Sequence, residues 1–366
     1  MFYGWKSDVT SFMKRLSQIA TGSGGLYLFA ASSRLALGLP RDRKAAFVVA
    51  NLYQPHRWRG RIFLRFAKLL ISLGIPKFRS THLGPKRIVP EVDWLRAAAE
   101  VGSVGFLGCN PNHGPRCVLA GIDPSSGEKF IAKLGMDKSA PAIRREAEVL
   151  ASLAGRYSGV IGSAELQGSD MIHEKSSSDQ AMDWALLRLP HLGNDSPQTM
   201  SDGKVCELLC KWLGKAVNPL GEYPWVENLL QAVTPCQAPP DWHARMRSRH
   251  ICDALLHGDF AVWNLRHTQE GLVALDWEWG REDGIGGVDL AHGLRQECYM
   301  VRGMNAVSAV AWMLEQAMSP VWSTYLKRCG WEGDYSDWLR LGLLHSHFNA
   351  LNPSKELLAV LGIELT

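Results

Sequence analysis

Between Ser103 and Leu134 the apolar residues fall in short runs divided by turn-forming clusters. Ser103–Gly108, Cys117–Ile122 and Phe130–Leu134 read as three successive strands, with CNPNHGPR and the segment Pro124–Glu128 as the turns. The period then lengthens, and Pro141–Leu153 carries its apolar residues at helical spacing. A polar stretch, GSDMIHEKSSSDQAMD, reads as a loop before a further strand at Trp184–Leu189. Beyond it the helical period dominates. Lys204–Val217 puts Val205, Leu208, Leu209, Trp212 and Leu213 on one side, and Trp242–Leu255, Val307–Gln316, Pro320–Arg328 and Trp338–His347 are further predicted helices. A short strand, Leu272–Leu275, interrupts them. Before residue 95 the pattern predicts a helix opened by Ser7, a strand at Leu26–Ala31 and a helix over Arg57–Leu73, then a connector punctuated by Pro76, Pro85 and Pro90.

A chain of 366 residues with 46% apolar and 9% aromatic content can fill two cores, and it is neither disordered nor fibrous. The eight cysteines include no CxxC. Cys206 and Cys210 lie one helical turn apart, but no third ligand beside them completes a zinc set. Buried thiols in a reducing compartment are expected, and with neither a signal peptide nor a spanning apolar run the expectation is a cytoplasmic protein.

The net charge of +4 hides an asymmetry. Residues 1–90 hold 16 Lys/Arg against Asp8 and Asp42, a net +14, which leaves 24 basic against 34 acidic residues elsewhere, a net −10. On the helix Arg57–Leu73, Arg57, Arg61, Arg65 and Lys68 share one arc at about 100° per residue. Trp58, Ile62, Phe66, Leu69 and Leu73 fill the arc beside it, while Leu64 and Ile71 land near the basic side. The expectation is that Phe66 and Leu69 are buried against the body and the cations stay on the surface. The alternative is a peripheral membrane or other anionic partner. Nucleic acid is not expected, because the cations are interleaved with bulky aliphatics rather than aromatics.

The stretch Leu256–Leu290 holds the chemistry. His257-Gly258-Asp259 is followed by Asn264, and the Leu272–Leu275 strand delivers Asp276, with Trp277 and Glu278 behind it. Phosphoryl transfer needs one carboxylate to orient the attacking hydroxyl, and an amide oxygen and a second carboxylate to hold Mg²⁺ on the nucleotide phosphates. HGD-x4-N and the strand-end Asp supply those three groups in order. His257 itself reads as a loop residue whose hydrogen bonds hold the turn.

This stretch resembles the Brenner motif and metal-binding strand of the aminoglycoside phosphotransferase and choline kinase-like family. The resemblance implies an α+β, protein-kinase-like two-lobe fold: a small antiparallel-sheet lobe over residues 96–190, a larger, mostly helical catalytic and substrate lobe over 191–366, and here a basic N-terminal extension over 1–95. Carried over by residue, Asp259 is the catalytic Asp, Asn264 and Asp276 are the metal ligands, and Asp289 in VDLAH braces the catalytic loop. Lys133 in FIAK would reach the nucleotide phosphates. Glu146, matched by the REA-x-x-L pattern, would hold it, whereas Glu148 falls on another face. Trp184–Leu189 would lead to the hinge that reads the adenine edge. The first hairpin departs from a phosphate-covering loop, since Gly108 and Gly114 are its only glycines and there is no GxGxxG. The implied activity is ATP- and Mg²⁺-dependent transfer of the γ-phosphate to a hydroxyl of a sugar, amino sugar or amino alcohol. The segment 277–288 is too short for the activation segment of a protein kinase. The alternative is a catalytically silent nucleotide-binding scaffold on the same fold.

Overall fold

The computed structural model describes residues 26–32, 35–40, 42–52, 58–73, 95, 97–98, 101–108, 116–162, 164–168, 183–193, 195–333, 335–349 and 354–365. The helix expected after Ser7, the proline-marked connector, the CNPNHGPR turn and most of the polar stretch before Trp184 lie outside these residues. The described residues form two compact units of an α+β protein, one within 1–151 and 163–194, the other within 152–162 and 195–366.

The first unit is built on a seven-stranded antiparallel sheet: β1 (Leu26–Ser32), β2 (Leu35–Pro40), β3 (Val104–Gly108), β4 (Arg116–Ile122), β5 (Lys129–Met136), β6 (Glu165–Gly168) and β7 (Trp184–Pro190). Their order across the sheet is β1-β2-β3-β4-β5-β7-β6. β1 and β2 come from the basic N-terminal segment and join the sheet through β3, with Leu37 opposite Leu107. β4 and β5 pair from Arg116↔Gly135 to Ile122↔Lys129. Alternation along β5 sends Phe130, Ala132 and Leu134 to one buried face and Ile131 and Lys133 to the other.

Two helices cover part of the Ile131 face. α1 (Arg43–Ala50) starts where the Asp42 side chain accepts the Ala45 N–H at 2.7 Å, and it packs Val48, Val49 and Ala50 with Leu39 and Ala120. α2 (Trp58–Ser72) joins that core through Ile71 and half-buried Leu64, and Arg43 donates to the carbonyl of Ser72 at its end. The face of α2 that docks is therefore not the expected one. Ala67 and Ile71 are buried, whereas Phe66 and Leu69 are 56% and 52% exposed. The two residues that broke the amphipathic pattern, Leu64 and Ile71, mark the docked side, where small Ala67 permits close approach. α3 (Ala140–Leu153) covers the sheet farther along, and a Cβ on Gly135 would lie 2.7 Å from Ile143 Cγ1.

The second unit centres on a three-stranded antiparallel sheet of order β12-β9-β8, formed by β8 (Leu213–Pro219), β9 (His250–Leu256) and β12 (Arg281–Ile285). Beside it is the hairpin of β10 (Leu265–Thr268) and β11 (Gly271–Ala274). Two expected helices are shorter than the pattern indicated. α4 spans Gly203–Lys211 and gives way to β8, and α6 spans Trp242–Ser248 and gives way to β9. In both, the cross-strand partner decides: Val217 pairs with Cys252 and Gly284 with Ala254, so non-local ladder bonds replace helical ones. Between them lies α5 (Pro224–Gln231), and the rest is helical: α7 (Val288–Gln296), α8 (Ala306–Met318), α9 (Pro320–Cys329), α10 (Tyr335–Phe348) and α11 (Lys355–Val360). Trp212, Trp242, Trp277, Trp322, Trp331 and Trp338 are fully buried in this unit, as expected of tryptophans serving as core.

Candidate active site

β9 ends at Leu256 and the chain turns at once. Gly258 has φ 86°, and a Cβ there would lie 2.6 Å from Trp279 Cβ and 2.9 Å from the Trp279 carbonyl oxygen, so a side chain has neither the space nor the backbone conformation. The turn is held from below by Asp289. The His257 N–H donates to one of its carboxylate oxygens at 2.7 Å and the Gly258 N–H to the other at 3.0 Å. Burial pushes the Asp289 carboxyl above the ordinary carboxylate range, while the two N–H bonds pull the other way.

Asp289 is placed by two tryptophans. It lies in the first turn of α7, just after Gly287 at φ 96°. The Trp331 indole N–H donates to the Gly286 carbonyl at 2.8 Å and the Trp338 indole N–H to the Gly287 carbonyl at 2.9 Å. The Gly-Gly turn is thereby clamped, and with it the direction of the helix.

His257 ties the loop to the second carboxylate segment. Its Nε2–H donates to the Leu275 carbonyl at 2.7 Å, and its Nδ1 accepts the Asp259 N–H at 3.3 Å. A carbonyl can only accept and an amide N–H can only donate, so these bonds select one neutral tautomer. Its role is to hold the turn, as its place in the motif suggested.

The Asp259 carboxylate is held on both oxygens. His292 Nε2 donates to Oδ1 at 3.0 Å, and Asn264 Nδ2 donates to Oδ2 at 3.3 Å and to the Asp259 carbonyl at 2.9 Å. The Asp259 side chain keeps 18% of its surface exposed, against 5% for His292. It is gripped from behind and open in front. Because the Asn264 amide nitrogen faces Asp259, its amide oxygen points the other way. The Asn264 carbonyl in turn accepts the Leu275 N–H at 2.7 Å, which ties Asn264 to the residue before Asp276. Asp276 itself has φ 69°, a left-handed conformation that Asp tolerates better than most residues. Trp277, whose indole N–H donates to the Ala274 carbonyl at 3.0 Å and whose ring meets Trp212 edge-on at 5.3 Å, anchors the chain just beyond it.

His292 was not anticipated. It lies on α7 three residues after Asp289, and its Nδ1 faces Ser346 Oγ of α10 at 2.9 Å. The signal was present, since a residue one helical turn beyond the loop-bracing Asp shares its face and must look toward the same loop.

In the first unit, Lys133 Nζ lies 2.6 Å from each Glu146 carboxylate oxygen, with Glu146 almost wholly buried. Glu148 is exposed on another face of α3. The sequence-identified residues thus form two groups: Lys133 with Glu146, and Asp259 with Asn264 and Asp276.

These donors fit a magnesium nucleotide. Among the described residues no cluster of three or more His, Cys, Asp or Glu could hold a metal by itself. A divalent cation here would be held by the Asn264 amide oxygen and the Asp276 carboxylate together with nucleotide phosphates, the oxygen donors that Mg²⁺ takes.

No family model matches the chain, and no curated protein matches it in sequence. Among solved structures it is similar to amicoumacin kinase hAmiN in complex with AMP-PNP, Ca2+ and Ami, at 16% identity over 69% of this chain and 86% of that one, with a TM-score of 0.34. It is also similar to the ROP18 kinase domain in complex with AMP-PNP and sucrose, at 13% identity over 70% and 77% of the two chains, with a TM-score of 0.22.

Proposed function

We propose that the chain is an ATP-dependent phosphotransferase that moves a γ-phosphate to a hydroxyl of a small molecule such as a sugar, amino sugar or amino alcohol. The observation that carries this reading is the Asp259 carboxylate, held at both oxygens by His292 and Asn264 in a loop braced by buried Asp289. A carboxylate meant only to close a turn has no need of so much orientation.

Asp259 accepts the proton of the acceptor hydroxyl and directs its lone pair toward the phosphorus. His292 and Asn264 keep the carboxylate from rotating, so little reorganisation accompanies the transfer. Asn264 and Asp276 would hold the cation, which would supply neutralisation of charge on the phosphates. Lys133 contributes a further positive charge toward the nucleotide, and Glu146 fixes the direction of its amine.

The test is ADP release from ATP and Mg²⁺ across a library of sugars, amino sugars and amino alcohols, with Asp259→Asn as the blank. Acceptor-dependent release by the wild type alone is the expected result. Nucleotide binding without release for any acceptor would instead favour the silent scaffold.

A further inference from the structure

α2 exposes an apolar ridge that nothing in the proposed chemistry uses. Ile62, Phe66, Leu69 and Leu73 are 55%, 56%, 52% and 59% exposed, and their spacing places them on one side of the helix end to end. Other large exposed apolar residues among those described, such as Val101, Val217 and Met300, are isolated in sequence and need no explanation. The ridge faces away from the docked side. At about 100° per residue, the centre of the exposed set lies roughly 160° from that of Leu64, Ala67 and Ile71. α2 is thus fastened to the sheet unit by one face and presents a hydrophobic face outward.

The charge beside the ridge identifies what covers it. Arg61 and Arg65 are exposed on its flank, and the helix WRGRIFLRFAKLLIS contains no acid. Half-buried Lys68 follows them toward the docked side, where burial lowers its pKa. The helix belongs to a segment with 16 basic residues against two acidic ones. Apolar side chains in a row with cations along their edge match the layering of an anionic bilayer, with acyl chains below and phosphate headgroups at the level of the arginines. A second copy of the same face would bring arginine toward arginine. No helix among the described residues is long and apolar enough to cross a membrane. We propose that α2 is an interfacial anchor that seats the protein on an anionic lipid surface through Ile62, Phe66, Leu69 and Leu73, with Arg61 and Arg65 on the headgroups.

The experiment is co-sedimentation of the full chain with phosphatidylglycerol-containing vesicles and with pure phosphatidylcholine vesicles, at low and high salt. The wild type should bind the anionic vesicles only and release as salt rises. Arg61→Gln and Arg65→Gln should each weaken binding about fivefold at low salt. Phe66→Ser/Leu69→Ser should weaken it by more than about tenfold while melting and sedimenting as the wild type does, because both side chains already face water. Failure of the wild type to bind, or full binding by the Phe66→Ser/Leu69→Ser variant, overturns the proposal. Unfolding or aggregation of that variant also overturns it, because the ridge would then be covered by another part of the chain. Conversion of a wild-type dimer to monomer by the same change would assign the ridge to a second copy.

Discussion

Of the residues around Asp259, His292 bears most on how the loop works. It is buried between the Asp259 carboxylate and Ser346, with one ring nitrogen toward each. A positioning role predicts a specific kinetic signature. His292→Leu should lower kcat by about ten- to a hundredfold, leave the KM for nucleotide unchanged, and melt near the wild type. His292→Gln, which keeps a donor for Asp259, should recover part of the rate. A purely structural histidine would show loss of stability in both variants and no difference in kcat between them once folded protein is compared.

At the scale of elements, one prediction links β5 to α3. Lys133→Ala and Glu146→Ala should each reduce activity by a similar factor, and the double variant should be little worse than either, because Glu146 acts through Lys133 and an amine it does not hold is no longer aimed at the nucleotide. Additive losses in steady-state kcat/KM would show that the pair does not function as a unit. Glu146 was readable from the REA-x-x-L pattern of the resemblance, with helical spacing only setting Glu148 on another face, and Asp259, Asn264 and Asp276 stand in one short motif. The elements that were misread share a different property. Leu213–Pro219 contains good helix formers and becomes a strand only because β9 lies beside it, and His250–Leu256 is an almost continuous apolar run with no period of its own. α2 shows the same limit. Its pattern shows one apolar arc, yet the docked side is the one marked by the pattern-breaking Leu64 and Ile71, where small Ala67 lets them reach α1 and the sheet.

At the scale of the whole molecule, the helical unit carries a built-in sensitivity to acid. His345 on α10 is buried, accepts a hydrogen bond from Asn349 on Nε2, and is held at a pKa of about 3 by desolvation. Its folded pKa is therefore below the roughly 6.5 of an unfolded histidine, so the unfolded state binds the extra proton first. The contribution is fully present above about pH 6.5 and is lost as pH falls toward 3, amounting to something on the order of 2 kcal/mol by about pH 5. Melting temperature should fall across that window, and His345→Gln should flatten the fall; an identical pH profile in the variant would remove His345 from the explanation. The proposed phosphate transfer turns on Asp259 as the orienting carboxylate. The direct measurement is single-turnover transfer of labelled γ-phosphate to an acceptor found in the library, made beside nucleotide affinity in magnesium, for wild type, Asp259→Asn and Asp276→Ala. Asp259→Asn should bind nucleotide as the wild type does yet transfer slower by about a hundredfold or more, while Asp276→Ala should lose magnesium-dependent affinity. Undiminished transfer by Asp259→Asn, or unchanged magnesium-dependent affinity in Asp276→Ala, would contradict the proposal.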